Sequence, residues 1–105
     1  MDYIVVFVTC KDPVQARMIS EALIDGRLAA CANIVSNVES IFRWQGAVES
    51  GQETLLILKT RQKLFDQLCS CVKENHSYDV PEIIALPIIS GDEVYLKWLK
   101  EESDQ

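Results

Sequence analysis

Between positions 76 and 82 the chain reads His-Ser-Tyr-Asp-Val-Pro-Glu, placing an imidazole, a phenol and two carboxylates within seven residues. The stretch follows a helical pattern and precedes an extended one, and loops of that kind carry function more often than the elements they join. His76 is the one histidine of the chain. Imidazole is the usual proton switch and a common metal ligand near neutral pH. A plainer role is also open, in which His76 ends a helix and bonds to its last carbonyls.

Other chemistry-bearing side chains lie upstream. Glu49, Glu53 and Lys59 alternate onto one face of an extended segment, and Arg43 falls on the polar face of the segment before it. They make either a cleft lining or an exposed charge ladder, and the latter contributes little stability. Trp44, beside a turn, suits a subunit contact or a local cap on the turn. An acid–base enzyme would draw on Tyr78, Asp79 and Lys59, but no established constellation supports one. One histidine excludes a two-histidine metal site and an HExxH motif within one chain. The four glycines are scattered, which leaves no phosphate-cradling loop, and no CxxC is present. No catalytic residue is therefore assigned, and the chain is read as a non-enzyme.

Composition narrows the partners. The net charge is −6, from 16 acidic and 10 basic residues, which argues against nucleic acid and against an anionic membrane surface. No apolar run approaches the roughly 20 residues of a membrane span, and the first ten residues lack the basic start of a signal peptide. Cys10, Cys31, Cys69 and Cys71 show no framework spacing, so reduced thiols in the cytoplasm are expected.

These side chains need elements to hold them. The sequence from Leu28 to Thr60 predicts two long antiparallel strands joined at Gln45-Gly46. Even positions from Leu28 to Trp44 are mostly apolar and odd ones mostly polar, a period of two. Roughly 15 residues at about 3.3 Å each would reach ~50 Å, more than 105 residues can cover. The hairpin either protrudes to meet another chain or is interrupted near Ser36-Asn37. Tyr3–Thr9 is a β-branched and aromatic run suited to a covered strand. Asp12 and Pro13 open a helix that runs to about Asp25, with Gly26 suited to a left-handed end. Thr60 is placed to cap a second helix, Arg61 to about Asn75. Val80–Ile88 reads as a strand whose prolines confine it to an edge. Ser90-Gly91-Asp92 then starts a last helix, Glu93–Glu101. The order β-α-β-β-α-β plus a terminal helix predicts an α+β, ferredoxin-like antiparallel sheet in one domain over residues 1–105. Its second face is left to the terminal helix or to neighbouring subunits.

Several separated motifs resemble one family. Leu28-Ala29-Ala30-Cys31-Ala32-Asn33-Ile34, Ser40-Ile41-Phe42-Arg43-Trp44-Gln45-Gly46, Glu53 with Leu58-Lys59-Thr60, His76 through Pro87, and Tyr95-Leu96-Lys97-Trp98 are similar, in register, to the CutA divalent-cation tolerance proteins. The resemblance implies a tight homotrimer, kinship in architecture with PII signalling proteins, and binding of Cu²⁺ or another divalent cation with no organic cofactor. His76 and Cys10 are then the expected metal ligands. The alternative is a PII-like signalling or scaffold trimer whose intersubunit clefts, lined by Trp44, Lys59, Tyr78 and Glu82, take a small molecule or partner protein. Here Ser77 and Asp79 stand where the family usually has Pro and Glu, Phe42 where it usually has Tyr, and Asn75 where some members carry a second histidine.

Overall fold

The computed structural model describes residues 2–103. In chain order it contains β1 (Tyr3–Cys10), α1 (Pro13–Asp25), β2 (Cys31–Trp44), β3 (Ala47–Arg61), a short 3-10 turn (Gln62–Leu64), α2 (Phe65–Asn75), β4 (Ile83–Pro87) and α3 (Glu93–Glu102). The four strands form one antiparallel sheet in the order β2-β3-β1-β4. This is the ferredoxin-like arrangement that the element order predicts.

Alternation divides the sheet into two faces. On one face Ile4, Val6, Val8 and Cys10 of β1 sit beside Leu56 and Leu58 of β3, and Ala16, Ile19 and Leu23 of α1 pack on them with Leu68 and Val72 of α2. All but Ile4 are sealed from solvent. Burial of that much aliphatic surface is the main force holding the two helices to the sheet. On the other face lie Val5, Phe7, Leu55 and Ile57, all half-buried, with Ile84 and Leu86 each 52% exposed. α3 packs on β3 and buries Leu99 completely, and it covers only part of this second face.

The hairpin dominates the shape. Strands of 14 and 15 residues set the longest of the three extents, 44 × 25 × 22 Å. Gln45 and Gly46 both have positive φ (51° and 83°), which matches the type I′ turn that joins twisted strands. The interruption near Ser36-Asn37 exists as a β-bulge and does not end the strand. Val35 pairs with Leu55 and Val38 with Glu53, so two β2 residues stand against Thr54 alone. Asn37 takes the left-handed conformation there (φ 62°), which an Asn tolerates better than most residues. The bulge swaps the faces of β2, so the unbroken even-numbered face predicted for Leu28–Trp44 does not hold. Before the bulge Cys31, Asn33 and Val35 share the second face with β3; beyond it Val38, Ser40, Phe42 and Trp44 do.

Three boundaries differ from expectation, each for a visible reason. Thr60 is not a helix cap: it pairs with Ile4 inside the sheet, and its hydroxyl donates to the Leu28 carbonyl at 2.7 Å. The strand therefore runs on through Arg61, which binds Asp2 at 3.0 Å, and α2 starts only at Phe65. The left-handed residue after α1 is Arg27 (φ 59°), not Gly26 (φ −80°). Leu28 N–H bonds to the Leu23 carbonyl and Arg27 N–H to that of Ile24, the pairing of a Schellman motif. A Cβ on Gly26 would sit 3.2 Å from the Ala22 carbonyl oxygen. The last strand is confined to Ile83–Pro87 and is an edge strand, as its prolines demand.

Candidate functional site: the groove between the hairpin and the His76–Glu82 loop

α2 ends at Asn75, and the chain turns back across the end of β1. His76 makes that turn rigid. Its Nδ1 accepts the Tyr78 backbone N–H at 3.1 Å, so Nε2 carries the proton and donates to the Thr9 carbonyl at 2.7 Å. His76 thus ends its helix by bonding to a neighbouring strand, not to the carbonyls of α2. The Tyr78 ring lies 4.6 Å from the imidazole, and its hydroxyl donates to Glu53 Oε2 at 2.8 Å. Burial first, then the bond to Glu53 and its charge, raise the Tyr78 phenol well above its ordinary range, so it stays a neutral donor. The loop is thereby fastened to β1 and to β3.

An open groove of about 910 Å³ lies between this loop and the outer hairpin. Glu39, Glu49, Glu53, Asp79 and Glu82 line it, with Phe42, Trp44, Tyr78 and Val80 as its apolar wall. No lysine or arginine is among the lining residues. Clustered like charge in a concave, low-dielectric wall concentrates a potential of that sign, so the groove favours positively charged ligands. The bulge puts Phe42 and Trp44 on this face together with Glu49 and Glu53.

The structure gathers some of the residues singled out from the sequence and separates others. Trp44, Tyr78 and Glu82 line the groove together. Lys59 does not; it lies nearer the start of β2, bonded to Asn33 and 3.7 Å from the Cys31 sulfur. Cys10 neighbours Thr9 in β1, but its side chain faces the helices and is fully buried. Burial, with the charges of Glu53 and Asp12, pushes its thiol up to about 12. Both ring nitrogens of His76 are held by groups of its own chain. Metal binding needs a thiolate and a free imidazole nitrogen, so neither side chain is ready to ligate. Among the described residues no three His, Cys, Asp or Glu converge on a common metal position. The groove itself is legible in sequence only in part. Glu39, paired with Gln52 on the alternation opposite to Phe42 and Trp44, also lines the groove, and the period-two pattern alone does not place it there because the bulge resets the faces.

The chain from residue 4 to residue 102 matches the family model of the CutA1 divalent ion tolerance protein. The chain belongs to the CutA divalent-cation tolerance family. The divalent-cation tolerance protein CutA of Thermus thermophilus is 50% identical over 99 residues, covering 94% of this chain and 96% of that protein. The chloroplastic protein CutA of Arabidopsis thaliana is 47% identical over 100 residues, 95% of this chain but 55% of the plant protein. This chain thus spans about half the length of its plant relatives and nearly all of the bacterial one. Solved structures agree: CutA1 of Thermus thermophilus superposes with a TM-score of 0.95 at 48% identity, covering 97% of this chain and 99% of that one. CutA1 of Oryza sativa gives 0.96 at 46% identity, covering 100% and 96%. The CutA fold is therefore this chain's fold. No helix among the described residues is long and apolar enough to cross a membrane.

Proposed function

We propose that this CutA-family chain serves divalent-cation tolerance as a homotrimeric, non-enzymatic scaffold whose ligand site is the acidic groove beside the hairpin. The observation that carries this reading is the Tyr78–Glu53 hydrogen bond, which fixes an aromatic wall and a set of carboxylates around one concave space. The ligand class is a small cationic molecule or a positively charged segment of a partner protein. Assembly is supported by the outer hairpin, where every residue from 41 to 52 is exposed, and by the half-covered sheet face bearing Ile84 and Leu86. A second copy would cover the sheet face and the part of the hairpin that does not line the groove.

Weak binding of Cu²⁺ or another divalent cation is the second reading. It is favoured by the carboxylates of the groove, which suit a hydrated cation held through oxygen, and not by His76 or Cys10, whose reactive atoms are engaged or buried. Four free cysteines fit a reducing compartment such as the cytoplasm. The test is a thermal-shift and calorimetric series on the intact protein with Cu²⁺, Zn²⁺ and small organic amines. Binding of an amine without metal, weakened in Trp44→Ala and Glu82→Gln, supports the groove as the site. A response to metal alone, with both variants behaving as the parent, rejects it.

A further inference from the structure

A second cluster lies on the same sheet face, outside the groove. Cys31 of β2 and Lys59 of β3 are directly paired across the ladder, with Nζ 3.7 Å from Sγ. Asn33, one alternation further along β2, accepts a hydrogen bond from the same ammonium and stands 3.8 Å from the thiol. Tyr95 of α3 lies beside Cys31; burial, then Cys31, raise its phenol above its ordinary range. Cys31 and Lys59 are both half-buried, within reach of a small oxidant.

The other thiols cannot pair with Cys31 inside the chain. Cys10 sits in the core on the helical side of the sheet, and Cys69 and Cys71 belong to α2 on that same side. The sheet itself stands between them and Cys31. The nucleophile that shares this second face with Cys31 is the Lys59 amine.

We infer that oxidation joins Cys31 to Lys59 through a sulfur–nitrogen bond, so that the β2–β3 pair carries a redox-sensitive crosslink. A hydroperoxide is the oxidant. The Cys31 sulfur attacks the terminal peroxide oxygen, an S–O bond forms, the O–O bond breaks, and an alcohol or water leaves with the thiol proton. Sulfur is oxidised to the sulfenic acid and the peroxide is reduced. The Lys59 ammonium then gives a proton to solvent, and its lone pair attacks the sulfenic sulfur. The S–O bond breaks and water leaves, carrying a second nitrogen proton. In sum a thiol, an amine and a hydroperoxide give a sulfenamide, an alcohol and water. Directly opposed residues in an antiparallel pair have Cβ atoms about 4.5–5.5 Å apart, and lysine's four-carbon stem is flexible, so the bond needs side-chain rotation only. Two external thiols reverse it, leaving Cys31, Lys59 and a disulfide. The crosslink removes the Lys59 charge from Asn33 and alters the surface on which Tyr95 rests.

Peptide mapping of the intact native protein after treatment with hydrogen peroxide, without reductant, tests this. The predicted product is one peptide pair linking β2 to β3, lighter than its parts by two hydrogens, resistant to trypsin at Lys59 and released by dithiothreitol. Lys59→Arg keeps the cation but not the amine, and should instead accumulate a Cys31 sulfenic acid that dimedone traps. Cys31 passing to sulfinic acid uncrosslinked in the parent protein, or ending in a disulfide between copies, or remaining unmodified, overturns the inference.

Discussion

The Tyr78 hydroxyl donates a 2.8 Å hydrogen bond to the Glu53 carboxylate, fastening the loop after α2 to the middle of the long hairpin. Removing that donor tests what the bond holds. Tyr78→Phe keeps the ring against His76 but leaves a half-buried carboxylate without its partner, at a cost of about 1–2 kcal/mol. Glu53→Gln keeps an acceptor and should cost less. Urea denaturation of the three proteins orders them parent, Glu53→Gln, Tyr78→Phe, and equal stabilities would show the loop is held by other contacts.

Alkali should loosen the fold through two acids, the buried Cys10 thiol and the half-buried Tyr78 phenol. The Cys10 thiol is raised by burial from 9.0 to about 12, and the Tyr78 phenol is raised above its usual 10.0. In both, the unfolded chain loses its proton first and so binds fewer protons than the native state, which makes stability fall as pH rises. For Cys10 the effect is absent below pH 9 and accumulates up to about pH 12. Melting temperatures taken across that window should fall less steeply in Cys10→Ala than in the parent, whatever the starting stability of the variant. Parallel curves would mean that the thiol does not titrate differently on folding.

The bulge at Ser36-Asn37 requires a left-handed residue. Asn37→Gly should be neutral or mildly favourable, whereas Asn37→Val should cost about 1–2 kcal/mol. Because the bulge also sets which face carries Phe42 and Trp44, Asn37→Val should weaken ligand binding in the groove more than its distance suggests. Chemical denaturation and ligand titration on the same two variants check both halves.

Assembly can be tested on the uncovered sheet face. Leu86 is paired with Val5 at the sheet edge and half exposed. A charge there, in Leu86→Asp, should lower the mass measured by sedimentation to that of one chain while leaving the helical spectrum in place. An unchanged oligomer mass would move the interface elsewhere.

Much of this was legible in the residues. Prolines at 81 and 87 marked an edge strand, Gln45-Gly46 marked the turn, and the alternation from 28 to 60 marked a hairpin too long for its domain. The errors share a cause: local propensity lost to tertiary pairing. Thr60 has cap chemistry, yet Ile4 and Leu28 claim it for the sheet. Gly26 looks like the left-handed residue, yet Arg27 takes that place, while Gly26 donates its N–H to the Ala22 carbonyl, where a Cβ would crowd that oxygen. The His76–Glu82 loop was visible as a dense polar stretch. Which partners its groups would choose was not, because Thr9 and Glu53 come from strands far away in sequence.

If ligands meet the acidic groove and not a metal centre on His76 and Cys10, metal affinity must follow the groove carboxylates. Calorimetric titration of the intact protein with Cu²⁺, its oligomer mass determined on the same sample, tests this most directly in the parent, His76→Gln, Cys10→Ser and Glu49→Gln/Glu82→Gln. We expect a trimer whose Cu²⁺ affinity is weak, unchanged in His76→Gln and Cys10→Ser, and reduced in the double carboxylate variant. Micromolar or tighter Cu²⁺ binding that is lost in His76→Gln would contradict it.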